Sequence, residues 1–442
     1  MSVNKITDNG VKDLVAALSS EKCRLIELNL SDNHITDDGA IAFAVLLKSK
    51  DCSLRELHLG GNNITDVGAK ALAIAMETGG SSLLVLDLGN NKLGNAGTKA
   101  LASALEHDAC PLKVLDLETN KLGDVGAKIF ANTLSVAECR LEDLHLGRNA
   151  ITVNGAKSLA AALELERCSL EVLGLGSNNL GDTAAQNFAH ALKTEECNLK
   201  DLHLEENQIT DDGTSFLADA LKLKNCSLET LDLENNKLGD NGAKMLAVAL
   251  KSSDCSLEEL HLGGNQIMDN GVKALGAALT GSSLVTLNMS GEGVKEQERV
   301  TNVGAMALGA GLTQSCVLET LILNDNEIGD RGAKALAAAL ENGQCSLKEL
   351  DLRRNRITDS GAKALAVSLK SHGCSLEELR LGGNQISDIG INALGLSIES
   401  NTTIKSIEID ETDDISEIAK QNLVSALKRP RSVSPENMKT VK

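Results

Sequence analysis

A motif of the form Leu-x-x-Leu-x-Leu-x-x-Asn returns every 29 residues along almost the whole chain. The paired apolar positions run from Leu28/Leu30, Leu57/Leu59 and Leu86/Leu88 through Leu287/Met289 to Ile407/Ile409, which makes fourteen strand units. A fixed period between about 20 and 50 residues is the signature of a solenoid. One such unit cannot bury its own apolar face, so it is stable only when stacked on its neighbours.

The unit reads as a short strand, a bend and a helix. In Ser346–Leu352, inward leucines alternate with outward polar residues, the period of a half-buried strand. An asparagine follows at the bend in twelve of the fourteen units: Asn33, Asn62, Asn91, Asn120, Asn149, Asn178, Asn207, Asn236, Asn265, Asn326, Asn355 and Asn384. An inward amide both donates to and accepts from backbone groups that a bend leaves without strand partners, so these residues are expected to form a structural ladder. In the second half, Ala333, Leu336, Ala337 and Leu340 make one apolar helical stripe. Asp330 stands at the start of this helix, and the same aspartate recurs at Asp37, Asp66, Asp124, Asp240, Asp359 and Asp388. Each is expected to cap free N–H groups there and to favour the positive helix end. The predicted class is α/β: a parallel inner sheet with outer helices, curved into a horseshoe.

With those residues in place, the chain resembles leucine-rich-repeat proteins of the ribonuclease-inhibitor class. The shared pattern is Cys-x-Leu-x-x-Leu-x-Leu-x-x-Asn-x-Ile/Leu-x-Asp-x-Gly-Ala-Lys-x-Leu-Ala-x-Ala-Leu, seen nearly whole in Cys52–Leu72, Cys226–Leu246 and Cys345–Leu365. The resemblance covers residues 3–428, and the uniform unit is most similar to the repeat tails of NOD-like receptors. That likeness implies ligand sensing or protein recognition, with a role in innate immunity. No Gly-x-x-x-x-Gly-Lys-Ser/Thr phosphate loop is present, and the chain opens in mid-unit at Asn4–Gly10. The expectation is a fragment of a longer gene, with a self-capping array as the alternative.

Length alone would suggest about three domains, but the repeats predict one array over 1–428, followed by a disordered basic tail, 429–442, with Ser432 and Ser434 as candidate phosphorylation sites. A formal charge of −19 disfavours binding to nucleic acid or to an anionic membrane and suits a basic or neutral protein partner. No run of eighteen apolar residues suggests membrane insertion, and the polar Met1–Gly10 does not read as a secretory signal, so the expected location is cytoplasmic. The eleven cysteines, Cys23 to Cys374, occupy one column two residues before the first leucine of a unit, with Ser81, Ser282 and Thr402 in the vacant slots. Small buried thiols, kept reduced, fit that column, and there is no Cys-x-x-Cys pair for zinc. Tryptophan and tyrosine are absent, and Phe43, Phe130, Phe188 and Phe216 lie in helical segments, three of them in the leucine slot as core candidates. The inner face therefore offers none of the aromatic anchors around which tight interfaces centre.

The position between the two strand leucines is the most exposed on the inner face. It reads Asn29, His58, Asp87, Asp116, His145, Gly174, His203, Asp232, His261, Asn288, Ile322, Asp351, Arg380 and Glu408. At a strand spacing of about 4.8 Å, His58–Asp87, Asp116–His145 and His203–Asp232–His261 become lateral neighbours, and a nearby carboxylate raises a histidine's titration. Two readings stay open: a pH-responsive or metal-holding strip around His203, Asp232 and His261, with Glu205, Glu206 and Glu234 nearby, or a solvated face made by repeat duplication. No cofactor and no metal site is assigned. In the last third, Arg353, Arg354, Arg356 and Arg380 cluster, either to clasp an anion or acidic peptide or to be neutralised by Glu349, Asp351 and Glu378. An insertion at 291–302 breaks the register and puts Glu292 in the asparagine slot; such loops carry binding or are tolerated.

No nucleophile–base pair or phosphate cradle supports catalysis. The function expected is non-enzymatic protein–protein recognition, with His58, Asp87, Asp116, His145, His203, Asp232, His261, Asp351, Arg353, Arg354 and Arg380 as partner contacts on the concave face. The alternatives are a GTPase activator similar to the Ran regulator, with Arg148, Arg353 or Arg354 as the finger, and a ribonuclease-inhibitor-like binder.

Overall fold

A computed structural model describes residues 1–19, 24–49, 51–78, 81–314, 316–409 and 415–428. The tail predicted at 429–442, with Ser432 and Ser434, and Cys23 lie outside the described residues. The elements alternate helix and strand from end to end. In chain order they begin α1 (Asp8–Leu18), β1 (Glu27–Asn29), α2 (Asp37–Leu47), β2 (Glu56–His58), α3 (Asp66–Glu77), β3 (Val85–Asp87), α4 (Asn95–Leu105) and β4 (Val114–Asp116). Next come α5 (Gly123–Leu134), β5 (Asp143–His145), α6 (Val153–Leu163), β6 (Val172–Gly174), α7 (Gly181–Ala191), β7 (Asp201–His203), α8 (Asp211–Ala220), β8 (Thr230–Asp232) and α9 (Asp240–Leu250). The chain continues with β9 (Glu259–His261), α10 (Asp269–Gly276), β10 (Thr286–Asn288), α11 (Asn302–Leu312), β11 (Thr320–Ile322), α12 (Asp330–Glu341) and β12 (Glu349–Asp351). It closes with α13 (Asp359–Ser368), β13 (Glu378–Arg380), α14 (Asp388–Ile398), β14 (Ser406–Glu408) and α15 (Glu417–Lys428). The strands follow one another in sequence order.

Two compact units are distinguished: residues 1–208 with 223–231, and residues 209–222 with 232–442. In the first, β1 to β7 pair in parallel with each leucine opposite the next, as in Leu28↔Leu57 and Leu57↔Leu86. In the second, β9 to β14 repeat the scheme, and Leu287↔Leu321 keeps register across the insertion. The core of each unit is what the alternation requires. Leu57, Leu59, Leu86 and Leu88 are fully buried, and so are the stripe residues Leu72, Leu336 to within 1%, and Leu365. Phe43, Phe130 and Phe188 are fully buried in leucine slots. The ten described cysteines are buried, and none forms a disulfide; burial pushes the Cys139 and Cys197 thiols up to about 11.

The asparagines close the bends. Asn62 Nδ2 donates to the carbonyls of Leu59 (2.9 Å), Gly60 (3.1 Å) and, one repeat back, Leu30 (3.1 Å), while its Oδ1 accepts from Ile35 N at 2.9 Å. Four bonds thus tie one buried amide to two repeats, leaving few backbone groups unpaired. The insertion does not end this ladder. Asn326 reaches Met289 O at 2.9 Å and accepts from Val300 N at 3.0 Å, and Val300, 3% exposed, fills the isoleucine slot of the bend.

The helix-start aspartates depart from expectation. They are first-turn residues, and in α3, α13 and α14 the helix is capped by the preceding Thr or Ser, as Thr65 caps α3 through Val67 N. Asp37 instead bonds Thr65 N and Gly68 N of the following helix, at 2.7 and 2.9 Å. The cap passes from one repeat to the next.

Candidate recognition face

In both units the outward column flanks buried leucines, so most of its side chains stand half-exposed on the strand face. Its aspartates and asparagines have a backbone task that the sequence pattern did not reveal. Asp87 Oδ1 accepts from Gly89 N, Asp116 Oδ1 from Glu118 N and Asp232 Oδ1 from Glu234 N, each at 2.8 Å; Asp351 Oδ1 accepts from Arg353 N at 3.0 Å. A short side chain bonding the N–H two residues on is a turn device, and here it holds the strand end and fixes the carboxylate.

In the first unit, His58 Nδ1 lies 3.8 Å from Asp87 Oδ2, the lateral pairing expected from register. His145 differs. It is in register with Asp116, but its nearest carboxylates are Asp143 Oδ1, 2.9 Å from Nε2, and Glu118 Oε1, 3.8 Å from Nδ1. The ring leans towards the strand without a side chain: an added Cβ on Gly174 would sit 2.6 Å from His145 Nδ1. That opening lets the His145 and His203 rings approach to 6.4 Å between centroids. The Asp143 carboxylate beside it, ahead of the opposing effect of burial, holds the His145 titration above its usual value. Burial is the main cause raising the Asp87 and Asp116 carboxyls.

In the second unit, His261 lies 3.7 Å from Glu234 and 3.4 Å from Glu259, and the Glu234 carboxylate is the first cause of its raised titration, with Asp232 adding through space. Asp351 is 1% exposed and does not face a partner as expected. The Arg353 guanidinium folds back over it with Nε 3.0 Å from both carboxylate oxygens and Nη2 2.5 Å from Oδ2. The remaining arginines are also engaged by the chain itself. Arg380 meets Glu349, Glu378 at 3.0 Å and Glu408 at 3.2 Å, and Arg356 meets Glu327 and Glu296. Glu296 belongs to the insertion, which therefore folds onto the arginine cluster. Arg354 reaches farthest out, 66% exposed and 3.6 Å from Asp325. It borders a cleft of about 250 Å³ with Glu292, Asn324, Asp325 and Arg353. Arg148, the other arginine nominated as a finger, bonds Ser177 and lies 3.7 Å from Glu206.

The leucine-rich-repeat family pattern matches residues 22–44, 50–73, 81–102, 109–131, 139–160, 196–218, 224–247, 253–276, 314–337, 343–366 and 372–395. Among solved structures, a chain of the yeast Rad7–Elc1 complex is similar with a TM-score of 0.52 at 17% identity, over 94% of this chain and 86% of that one. An internalin from Listeria monocytogenes is similar with a TM-score of 0.45 at 22% identity, over 85% and 84%. These likenesses concern the fold. No curated protein matches the chain.

Proposed function

This chain belongs to the leucine-rich-repeat family, and from that premise we propose that it is a non-enzymatic protein-recognition scaffold whose partner sits on the outward strand face. The observation that carries the reading is the way the column is held. Asp87, Asp116 and Asp232 are each anchored to the backbone through one oxygen, so their carboxylates sit on a surface already ordered before a partner arrives. Preorganisation of that kind lowers the ordering cost of association. The charge pattern along the face then supplies selectivity more than raw affinity. The resemblance of the uniform 29-residue unit to the repeat tails of NOD-like receptors supports a nearer reading, a ligand-sensing repeat region of that kind, for which a cytoplasmic location is proposed.

Arg354 is an outward cation on this face, and Lys334 is an exposed lysine of α12 on the helix side. Affinity capture with the wild type, Arg354→Glu, Asp116→Lys and Lys334→Glu tests the reading. Partners retained by Lys334→Glu and lost by either strand-face variant support it. Partners lost only by Lys334→Glu place recognition on the helices and overturn it.

A further inference from the structure

Glu27 and Glu56 are register partners on β1 and β2, and His58 follows Glu56 by two residues on the same face. The same three positions recur on β12 and β13 as Glu349, Glu378 and Arg380. There the convergence point holds a cation. The Arg380 guanidinium lies against Glu349, 3.0 Å from Glu378, 3.2 Å from Glu408 on the next strand and 3.8 Å from Asp351. In the first constellation an imidazole, shorter and neutral unless protonated, stands where that guanidinium's stem begins. Ligand atoms of Glu27, Glu56 and His58 all lie within 4.8 Å of one another. Among the described residues, no lysine or arginine pairs with Glu27 or Glu56, and His58, 3.9 Å away, is the ion-pair neighbour of Glu56. The fold thus builds this carboxylate pair twice and fills it from its own chain once.

We propose that Glu27, Glu56 and His58 hold a divalent transition-metal ion of the zinc class, in the position that Arg380 occupies in the second unit. One imidazole nitrogen and two carboxylate oxygens are a donor set that zinc accepts at about 2.0–2.2 Å, and two carboxylates balance its charge. The nitrogen donor argues against magnesium or calcium, which take oxygen. The exposed Glu27 and half-exposed Glu56 have room to close on the ion. Asp87 stands on the other side of the ring, 3.8 Å from Nδ1, where a second carboxylate orients a ligating histidine, and it is itself fixed by Gly89 N at 2.8 Å. A fourth position stays open on the strand face for water or for a donor from a partner. The site goes beyond the recognition reading and stands without it.

Calorimetric titration of the full chain with Zn²⁺, under a phosphine reductant to keep the thiols reduced, tests the site. The wild type is expected to bind one ion at Glu27, Glu56 and His58. His58→Arg, which copies the second constellation, should abolish that binding with no loss of melting temperature. A Glu27→Gln, Glu56→Gln double variant should abolish it as well, and Asp87→Asn, which keeps the oxygen facing Gly89 N, should weaken it about tenfold. The proposal is overturned if the wild type takes up no Zn²⁺. It is equally overturned if His58→Arg binds with unchanged stoichiometry and affinity, because the ion would then lie elsewhere, for example at the cysteines.

Discussion

Asp37 and Thr65 belong to successive repeats and are joined twice: Asp37 Oδ1 accepts from Thr65 N and Oδ2 from Thr65 Oγ1, both at 2.7 Å. The same aspartate also accepts from Gly68 N, so one carboxylate satisfies the first turn of its neighbour's helix. The arrangement recurs from Asp330 to Thr358 and Gly361, and from Asp359 to Ser387 and Gly390. It makes these helix starts conditional on the repeat before them, the nearest-neighbour coupling on which a solenoid depends.

Asp330→Ala should therefore cost about 1–3 kcal/mol, the range for leaving donors without a partner. In Asp330, burial, the largest single influence, pushes the carboxyl up, but the combined bonds from Thr358 and Gly361 hold it below its usual value of 3.8. A carboxylate with a depressed folded-state pKa adds stability above its unfolded pKa and loses it as pH falls through the folded one. Urea titrations from neutral pH down through the acid range should show the wild type losing stability below about 3.8 more steeply than Asp330→Asn. Parallel curves for the two proteins would refute the linkage.

His145 makes the opposite prediction. Its ion pair with Asp143 raises the folded-state titration, so its contribution is complete below the unfolded value near 6.5 and vanishes as pH rises through the folded value. Nuclear magnetic resonance should place the His145 midpoint above 6.5 and return it downward in Asp143→Asn. An unmoved midpoint in that variant would assign the shift to Glu118 or Asp116.

Thr119 occupies the left-handed region at φ 53°, the conformation that Gly61, Gly264 and Gly383 adopt at the same place in other repeats. A β-branched side chain there is strained. Thr119 is exposed, and its N–H bond to Gly147 O at 2.8 Å does not need the side chain. Thr119→Gly should raise stability by about 1 kcal/mol, after the larger unfolded-state entropy of glycine is subtracted from the strain relieved. A lower denaturation midpoint would show that the threonine contributes contacts beyond its backbone.

The leucine alternation and the bend asparagines were legible in the sequence, because an inward position must be apolar or must satisfy backbone groups, and both demands recur with the period. The aspartate caps were not. When every column returns after 29 residues, a bond from Asp37 to its own helix and one to the helix of the next repeat leave the same trace in the sequence. Register correctly paired His58 with Asp87, yet for His145 it pointed to Asp116, while the ring's nearest carboxylates are Asp143 and Glu118. Side-chain direction decided that case. Asp351 was hidden by Arg353 folding back along its own strand, a rotamer choice that spacing does not encode.

Arg380 gives the most direct measure of how far the face is held by charge. Its side chain is 24% exposed, and it stands among Glu349, Glu378, Asp351 and Glu408. Removing one partner of a buried ion pair typically costs about 3–5 kcal/mol, because the other charge is left uncompensated. Partial exposure reduces that figure, so Arg380→Met should lose about 2–3 kcal/mol. The loss should be smaller in high salt, which screens the four carboxylates from one another, and smaller again when Glu349→Gln is added, since one repelling charge is gone. Denaturant titrations of the three proteins at low and high salt measure all of this at once. If Arg380→Met and the wild type are equally stable under both conditions, the carboxylates around Arg380 are satisfied by solvent, and the arginine is available to an outside anion as the sequence pattern first suggested.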